Sequence, residues 1–127
     1  MLPFAVELKR GLPVAEQILF HAKKAIVSGL LKPGDRFPSI RQLSQELRIN
    51  PNTAHKVIAA LVTEGVLVTT PAVGSVVAAR SLGDKKDRAE LLGAELEKLV
   101  VEAKKLGLAL DDVQGGVAAH WKRLGGA

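Results

Sequence analysis

The 127-residue chain contains no cysteine. That excludes a disulfide framework and any thiolate metal site, and it suits a reducing cytosol. Aromatic residues are scarce: three Phe, one Trp and no Tyr, 3% of the chain. Binding that stacks single-stranded bases on aromatic rings is therefore disfavoured. No apolar run approaches the ~20 residues needed to span a bilayer. Glu7, Lys9 and Arg10 interrupt the first apolar residues too early for a secretory signal. His21, His55 and His120 fall on three separate predicted helices, so no cluster of metal ligands is expected. There is no Ser/His/Asp set and no glycine-rich phosphate loop, because no strand precedes Gly115-Gly116 or Gly125-Gly126. Neither enzymatic activity nor a cofactor is expected.

Apolar residues make up 47% of the chain, so it folds, and the net charge is +5. That balance favours a polyanionic partner. The charge is uneven: residues 1–79 hold nine Lys/Arg against five Asp/Glu, and residues 80–127 hold nine against eight. The basic excess sits on the half that contains residues 38–65, the stretch around which the rest is organised. Ser39 predicts a helix start, with Gln42 three residues on completing a capping box. Ile40, Leu43 and Leu47 line one side of that helix, and Arg48-Ile49-Asn50 breaks it. Asn50 is a good cap for a second helix, and Pro51 suits its first position, where no amide hydrogen is needed. Ala54, Val57, Ile58 and Leu61 give this helix a buried stripe. Asn52, Thr53, His55 and Lys56 remain at its opening turns, mostly facing away from that stripe. Two short helices joined by about three residues, the second opening on polar side chains, predict a helix-turn-helix. An ordinary helical hairpin with a solvated face has the same local pattern.

The flanks extend this reading. Residues 1–12 predict an extended lead-in. A helix follows from Val14 to about Gly29 or Leu30, with Val14, Ile18, Ala22, Ala25, Ile26 and Leu30 as its stripe and Lys23-Lys24 as solvated charges. Lys32-Pro33-Gly34-Asp35 is a turn, and Phe37, held extended by Pro38, dips into the core. Gly65 stops the third helix. Val66–Thr70 and Ser75–Ala79 predict two strands around a Pro71–Gly74 turn. The fold class is thus mainly α with a small β-hairpin: a winged helix-turn-helix over residues 1–79, then a two-helix tail over residues 80–127. Arg80–Asp84, with Gly83, is a hinge. A long helix from about Lys85 to Leu106 spaces Leu92, Leu96, Leu99, Ala103 and Leu106 by 4, 3, 4 and 3, a seam for a partner helix. Leu91, Val100 and Leu110 widen it. A last helix from about Asp111 to Leu124 presents Val113, Val117, Trp121 and Leu124, and Gly115-Gly116 weakens it by roughly 1 kcal/mol per glycine. Leu92, Leu96, Leu99, Ala103, Leu106 and Trp121 are the expected dimerisation residues.

The chain resembles the GntR family of bacterial transcription regulators. The matching residues are Pro13–Ala15, Gln17-Ile18, Ser28–Ser39, Arg41–Ser44, Asn50–Thr53 and Glu64–Leu67. The Asn-Pro-Asn-Thr segment, the short tail and Ala103–Leu108 are similar to the short YtrA-type branch. The resemblance implies a cytoplasmic homodimer that binds double-stranded DNA at a palindromic operator, most simply as a repressor. It implies that Arg41 reads or clamps DNA, that Asn52 and Thr53 face the groove, and that Ser39 meets a phosphate. Arg48 and Lys56 suit phosphate better than base, and Asn50 and Ser75 complete the expected DNA-binding set. His55 stands where many relatives carry arginine, so a contact there is weaker and pH-dependent. The short tail leaves little room for a ligand pocket, so any small-molecule effector has to use the dimer junction or the hinge near Gly83. A protein-interaction module without specific DNA binding is the alternative, because Thr70-Pro71-Ala72-Val73-Gly74 carries no charge where the family places basic residues. Each missing phosphate contact lowers the salt dependence of DNA binding by nearly one unit of slope. Titration across salt concentrations is therefore expected to give a slope shallower than about −8.

Overall fold

The computed structural model describes residues 1–79 and 85–125, which form two compact units taken separately below. The expected hinge at Arg80–Asp84, with Gly83, lies outside the described residues.

The first unit is three helices and a hairpin. Helix α1 spans Val14–Val27, α2 Ile40–Leu47 and α3 Pro51–Thr63, and strands β1 (Leu67–Thr70) and β2 (Gly74–Val77) follow. The α1 stripe buries Ile18, Ala22 and Ala25, and α3 buries Ala54, Val57 and Leu61. Leu43 of α2, Leu67 and Val77 of the hairpin, and Leu31 and Phe37 close the same core. Each fully buried aliphatic side chain contributes about 1.5–3 kcal/mol. Leu30 does not join the stripe as expected. The helix ends at Val27, the chain turns through Gly29 at φ 84°, and Leu31 enters the core while Leu30 stays exposed.

The lead-in is extended, and the core reaches it as well. Phe4 is buried and stacks on Phe37 with ring centroids 5.6 Å apart. Gln17 holds this segment to α1: its side chain accepts from the Lys9 amide (2.7 Å) and donates to the carbonyls of Lys9 and Leu12 (both 3.0 Å). Met1's ammonium lies 2.6 Å from Glu46. Together with the Gln42 side chain, it holds the Glu46 carboxyl below the usual carboxylate range. That contribution is present at neutral pH and is lost as the pH falls through the carboxylate range.

The helix ends follow their local chemistry. The Ser39 hydroxyl accepts the Gln42 amide (3.1 Å) and caps α2. Gln42's own side chain does not complete the reciprocal half of a capping box; it donates to the Met1 carbonyl at 3.4 Å. Asn50 caps α3 by accepting the Asn52 amide (2.8 Å), with Pro51 at the first helical position. The three residues between these helices turn at Arg48, which is left-handed at φ 53°, and Ile49 donates back to Ser44 (3.1 Å). At the end of α3 the same left-handed position is Gly65, and Val66 donates back to Leu61 (2.9 Å).

The hairpin pairs Leu67 with Val77, Val68 with Val76, Thr69 with Ser75 and Thr70 with Gly74. Residues 34–37 lie along its free edge. The Gly34 amide donates to the Val77 carbonyl (2.8 Å), the Val77 amide donates to the Asp35 carbonyl (2.8 Å), Phe37 donates to Ser75 (2.9 Å), and Arg36 faces Val76. The hairpin therefore closes the helical core from one side and presents its turn, Pro71–Val73, beyond it.

The second unit is helical apart from a short break at residues 106–109. Helix α4 spans Lys85–Glu90, a π-helical turn covers Leu91–Glu95, and α5 continues over Leu96–Lys105. The long helix is thus present, with a π-turn inside it that the 4-3-4-3 spacing does not reveal. A π-turn closes i to i+5 bonds and holds an extra residue, so Leu92 departs from the phase an unbroken α-helix would give it against Leu96. The helix stops at Gly107, where Leu108 donates to Ala103 (2.9 Å). Helix α6 spans Leu110–Leu124, and the Asp112 carboxylate accepts the Ala109 amide at its start (2.8 Å).

Ala72, at the wing turn, is left-handed with φ 65° and is not glycine. A Cβ there costs about 1–2 kcal/mol, and a glycine loses part of that gain to chain entropy. Ala72→Gly is expected to stabilise the chain by roughly 0.5–1 kcal/mol, read from the urea midpoint.

Candidate nucleic-acid interface

The face opposite the α3 stripe is fixed by that stripe. With Ala54, Val57 and Leu61 inside, Asn52, His55 and Lys56 are exposed and Thr53 is half-buried. Asn50 is exposed at the same end. Its side-chain oxygen is occupied by the Asn52 amide, and its NH₂ group is left to donate outward. The Asn52 side chain makes no bond of its own among the described residues. These groups can donate to, and in the case of Asn52 both donate to and accept from, the edges of base pairs.

Helix α2 adds Arg41 at its second position and Ser39 at its cap, both exposed. The Ser39 hydroxyl accepts from Gln42, and its proton stays available for an anion. Arg48 stands exposed in the turn between the helices. Arg41, Arg48 and Lys56 form no ion pair among the described residues. By contrast Lys23 is engaged by Glu64 at 2.7 Å, bridging α1 to the end of α3. Such an exposed pair is worth about 0–1 kcal/mol. It still removes Lys23 from the pool of free cations: the solvated charge expected there is an exposed ion pair.

Ser75 is differently placed. Alternation along β2 puts it on the same side as buried Val77, and it is half-buried. Its carbonyl accepts from Phe37. The wing tip, Pro71, Ala72 and Val73, is exposed and uncharged. One exposed cation beside the wing, Arg36, falls outside the set derived from sequence. Local sequence places Phe37 inward and hence Arg36 outward, and only the strand pairing puts Arg36 next to the wing.

The expected dimerisation residues all lie in the second unit. Ala103 is buried, while Leu92, Leu96, Leu99, Leu106 and Trp121 are 70%, 39%, 48%, 71% and 66% exposed. These are large apolar side chains left in water in the single chain. Among the described residues no group of three His, Asp or Glu is arranged to hold a metal ion. A hollow of about 390 Å³ opens between the lead-in and α1, bordered by Glu7, Pro13, Glu16, Phe20 and His21. None of its lining residues belongs to the Arg41–Asn52 face.

This arrangement is that of a winged helix-turn-helix, and residues 14–77 match the family "Bacterial regulatory proteins, gntR family". The chain belongs to the GntR family. It is 27% identical over 123 residues to the HTH-type transcriptional repressor YtrA of Bacillus subtilis, covering 87% of this chain and 95% of that one. A crystal structure described as a transcriptional antiterminator from Listeria monocytogenes superposes with TM-score 0.85 at 27% identity, covering 97% of this chain and 93% of that one. The DNA-binding domain of AraR, solved in complex with operator ORX1, superposes with TM-score 0.53 at 25% identity, over 58% of this chain and 95% of that one. As a GntR-family chain of YtrA type it is related to regulators and not to enzymes.

Proposed function

We propose that this GntR-family chain is a sequence-specific DNA-binding repressor that holds a palindromic operator as a homodimer. The observation that carries the reading is the exposed face of α2 and α3. Arg41, Arg48 and Lys56 are free cations there, and Asn52 opens the helix beside them. A helix of this kind enters the major groove with its first turns on base edges, while the cations meet phosphates. Coverage of this face would favour the protein-interaction module, and its exposure favours DNA. The operator complex of the AraR domain supports the same placement by analogy, and the repressor named YtrA supports the sign of regulation.

Residues 1–79 are the DNA-binding domain in this reading, and residues 80–127 the dimerisation tail. Leu96, Leu99 and Ala103 provide the seam, with Leu92, Leu106 and Trp121 at its margins. Two-fold symmetry of the protein then demands two-fold symmetry of the operator. The protein acts where the chromosome is, in the cytoplasm. No helix among the described residues is long and apolar enough to cross a membrane.

Footprinting on the DNA upstream of the chain's own gene tests the reading, with a symmetric protected site as the expected result. On that site Arg41→Ala is expected to lose roughly 1–3 kcal/mol, with a much smaller loss on unrelated duplex. Unchanged specific binding would remove Arg41 from the interface. Leu99→Asp places a charge on a residue that is 48% exposed in the single chain, so the subunit still folds. Sedimentation is expected to return a monomer with weakened operator binding, and a stable Leu99→Asp dimer would move the seam elsewhere.

A further inference from the structure

We propose that Arg36 grips a backbone phosphate beside the wing and supplies the charge that the wing tip lacks; the assignment rests on the DNA-binding reading above. The hairpin from Leu67 to Val77 contains no charged residue. A phosphate near it has to be met from elsewhere, and the strand pairing says from where. Arg36 faces Val76 across the free edge of β2, in a position flanked by the Phe37–Ser75 and Val77–Asp35 hydrogen bonds. This is the non-hydrogen-bonded type of antiparallel pair, in which facing side chains are closest and share one side of the sheet. Buried Phe37 and Val77 define the inner side, so Arg36 and Val76 lie on the outer one. The arginine stem can follow the Val76 surface while its guanidinium stays in water.

The direction of the chain then sets what lies near Arg36. Residues 36 to 39 run antiparallel to β2, from beside Val76 toward Gly74 and the wing turn. They end at Ser39, the cap of α2, two residues before Arg41. Arg36 is two pairs from the tip, roughly 7 Å along the strand, within the length of its own side chain. The guanidinium is also unclaimed, with no ion pair among the described residues, and Arg36 is exposed. Its neighbour Asp35 forms no ion pair with it; that carboxylate accepts the Lys32 amide at 2.8 Å. A planar fork of donors at this place suits a phosphate oxygen pair.

The test compares wild type, Arg36→Gln and Arg36→Lys as full-length dimers. Each is titrated by fluorescence anisotropy against the footprinted duplex and a mixed-sequence duplex, over a series of salt concentrations. Arg36 makes no side-chain bond that folding needs, and circular dichroism checks that each variant is folded. Arg36→Gln is expected to lower the salt slope by about 0.9 per subunit and to weaken both duplexes by the same factor, leaving their ratio unchanged. Arg36→Lys is expected to keep most of the slope. A wild-type slope in Arg36→Gln overturns the assignment while leaving the DNA-binding reading standing. A changed ratio between the duplexes overturns the phosphate role in favour of base reading. If the wild-type chain binds neither duplex, the DNA-binding reading itself falls, and Arg36 with it.

Discussion

The burial of Ala54, Val57 and Leu61 against α1 is the constraint from which the rest of the first unit follows. A helix can hide only one side. Once that stripe is seated on Ile18, Ala22 and Ala25, the rotation of α3 about its axis is set, and so is the set of side chains left in water. Helix α2, the hairpin and the extended lead-in then pack around the same cluster through Leu43, Leu67, Val77, Phe37 and Phe4. The polar opening of α3 is exposed because its apolar side is taken, and its start is anchored by Asn50 and Pro51 at the edge of the core. Rigidity at that start matters for recognition, since base contacts demand placement to a fraction of an ångström that a loop would not hold.

Charge is distributed in keeping with this frame. Arg36, Arg41 and Arg48, which form no ion pair among the described residues, lie before, within and just after α2. Lys23, near the core helices, is matched by Glu64. The wing is the reverse case: its outer row, Val68 and Val76, is apolar and its tip is neutral. A neutral tip can approach DNA closely at low desolvation cost, but it contributes nothing to counterion release.

The tail obeys a different logic. Its helices leave Leu92, Leu99, Leu106 and Trp121 in water, which a single chain does not stabilise. The first unit has a core of its own, whereas Ala103 is the one buried apolar residue among the described residues of the second. The π-turn at Leu91–Glu95 sits at the start of that seam and changes its phase between Leu92 and Leu96.

Much of this was legible before any coordinates. Ser39, Asn50-Pro51 and Gly65 each act within a few residues of themselves, so their caps and stops could be read directly, and the stripe of α3 follows from its period alone. The misses are long-range. Gln42 leaves its capping role because Met1 is brought within reach by folding. Leu31 replaces Leu30 because the turn at Gly29 swings the chain into a core built by other elements. The π-turn adds a residue without any signal in apolar spacing. Arg36 sits beside the wing only through its pairing with Val76, forty residues away in the chain. Sequence by itself determined which segments are helices and strands, where α2 and α3 begin, and which side of α3 is apolar, since these depend on neighbouring residues; other ends moved, α1 stopping at Val27 and β2 spanning Gly74–Val77. Tertiary structure decided which surface groups share one face, because pairing and packing bring together residues whose separation along the chain carries no local energy.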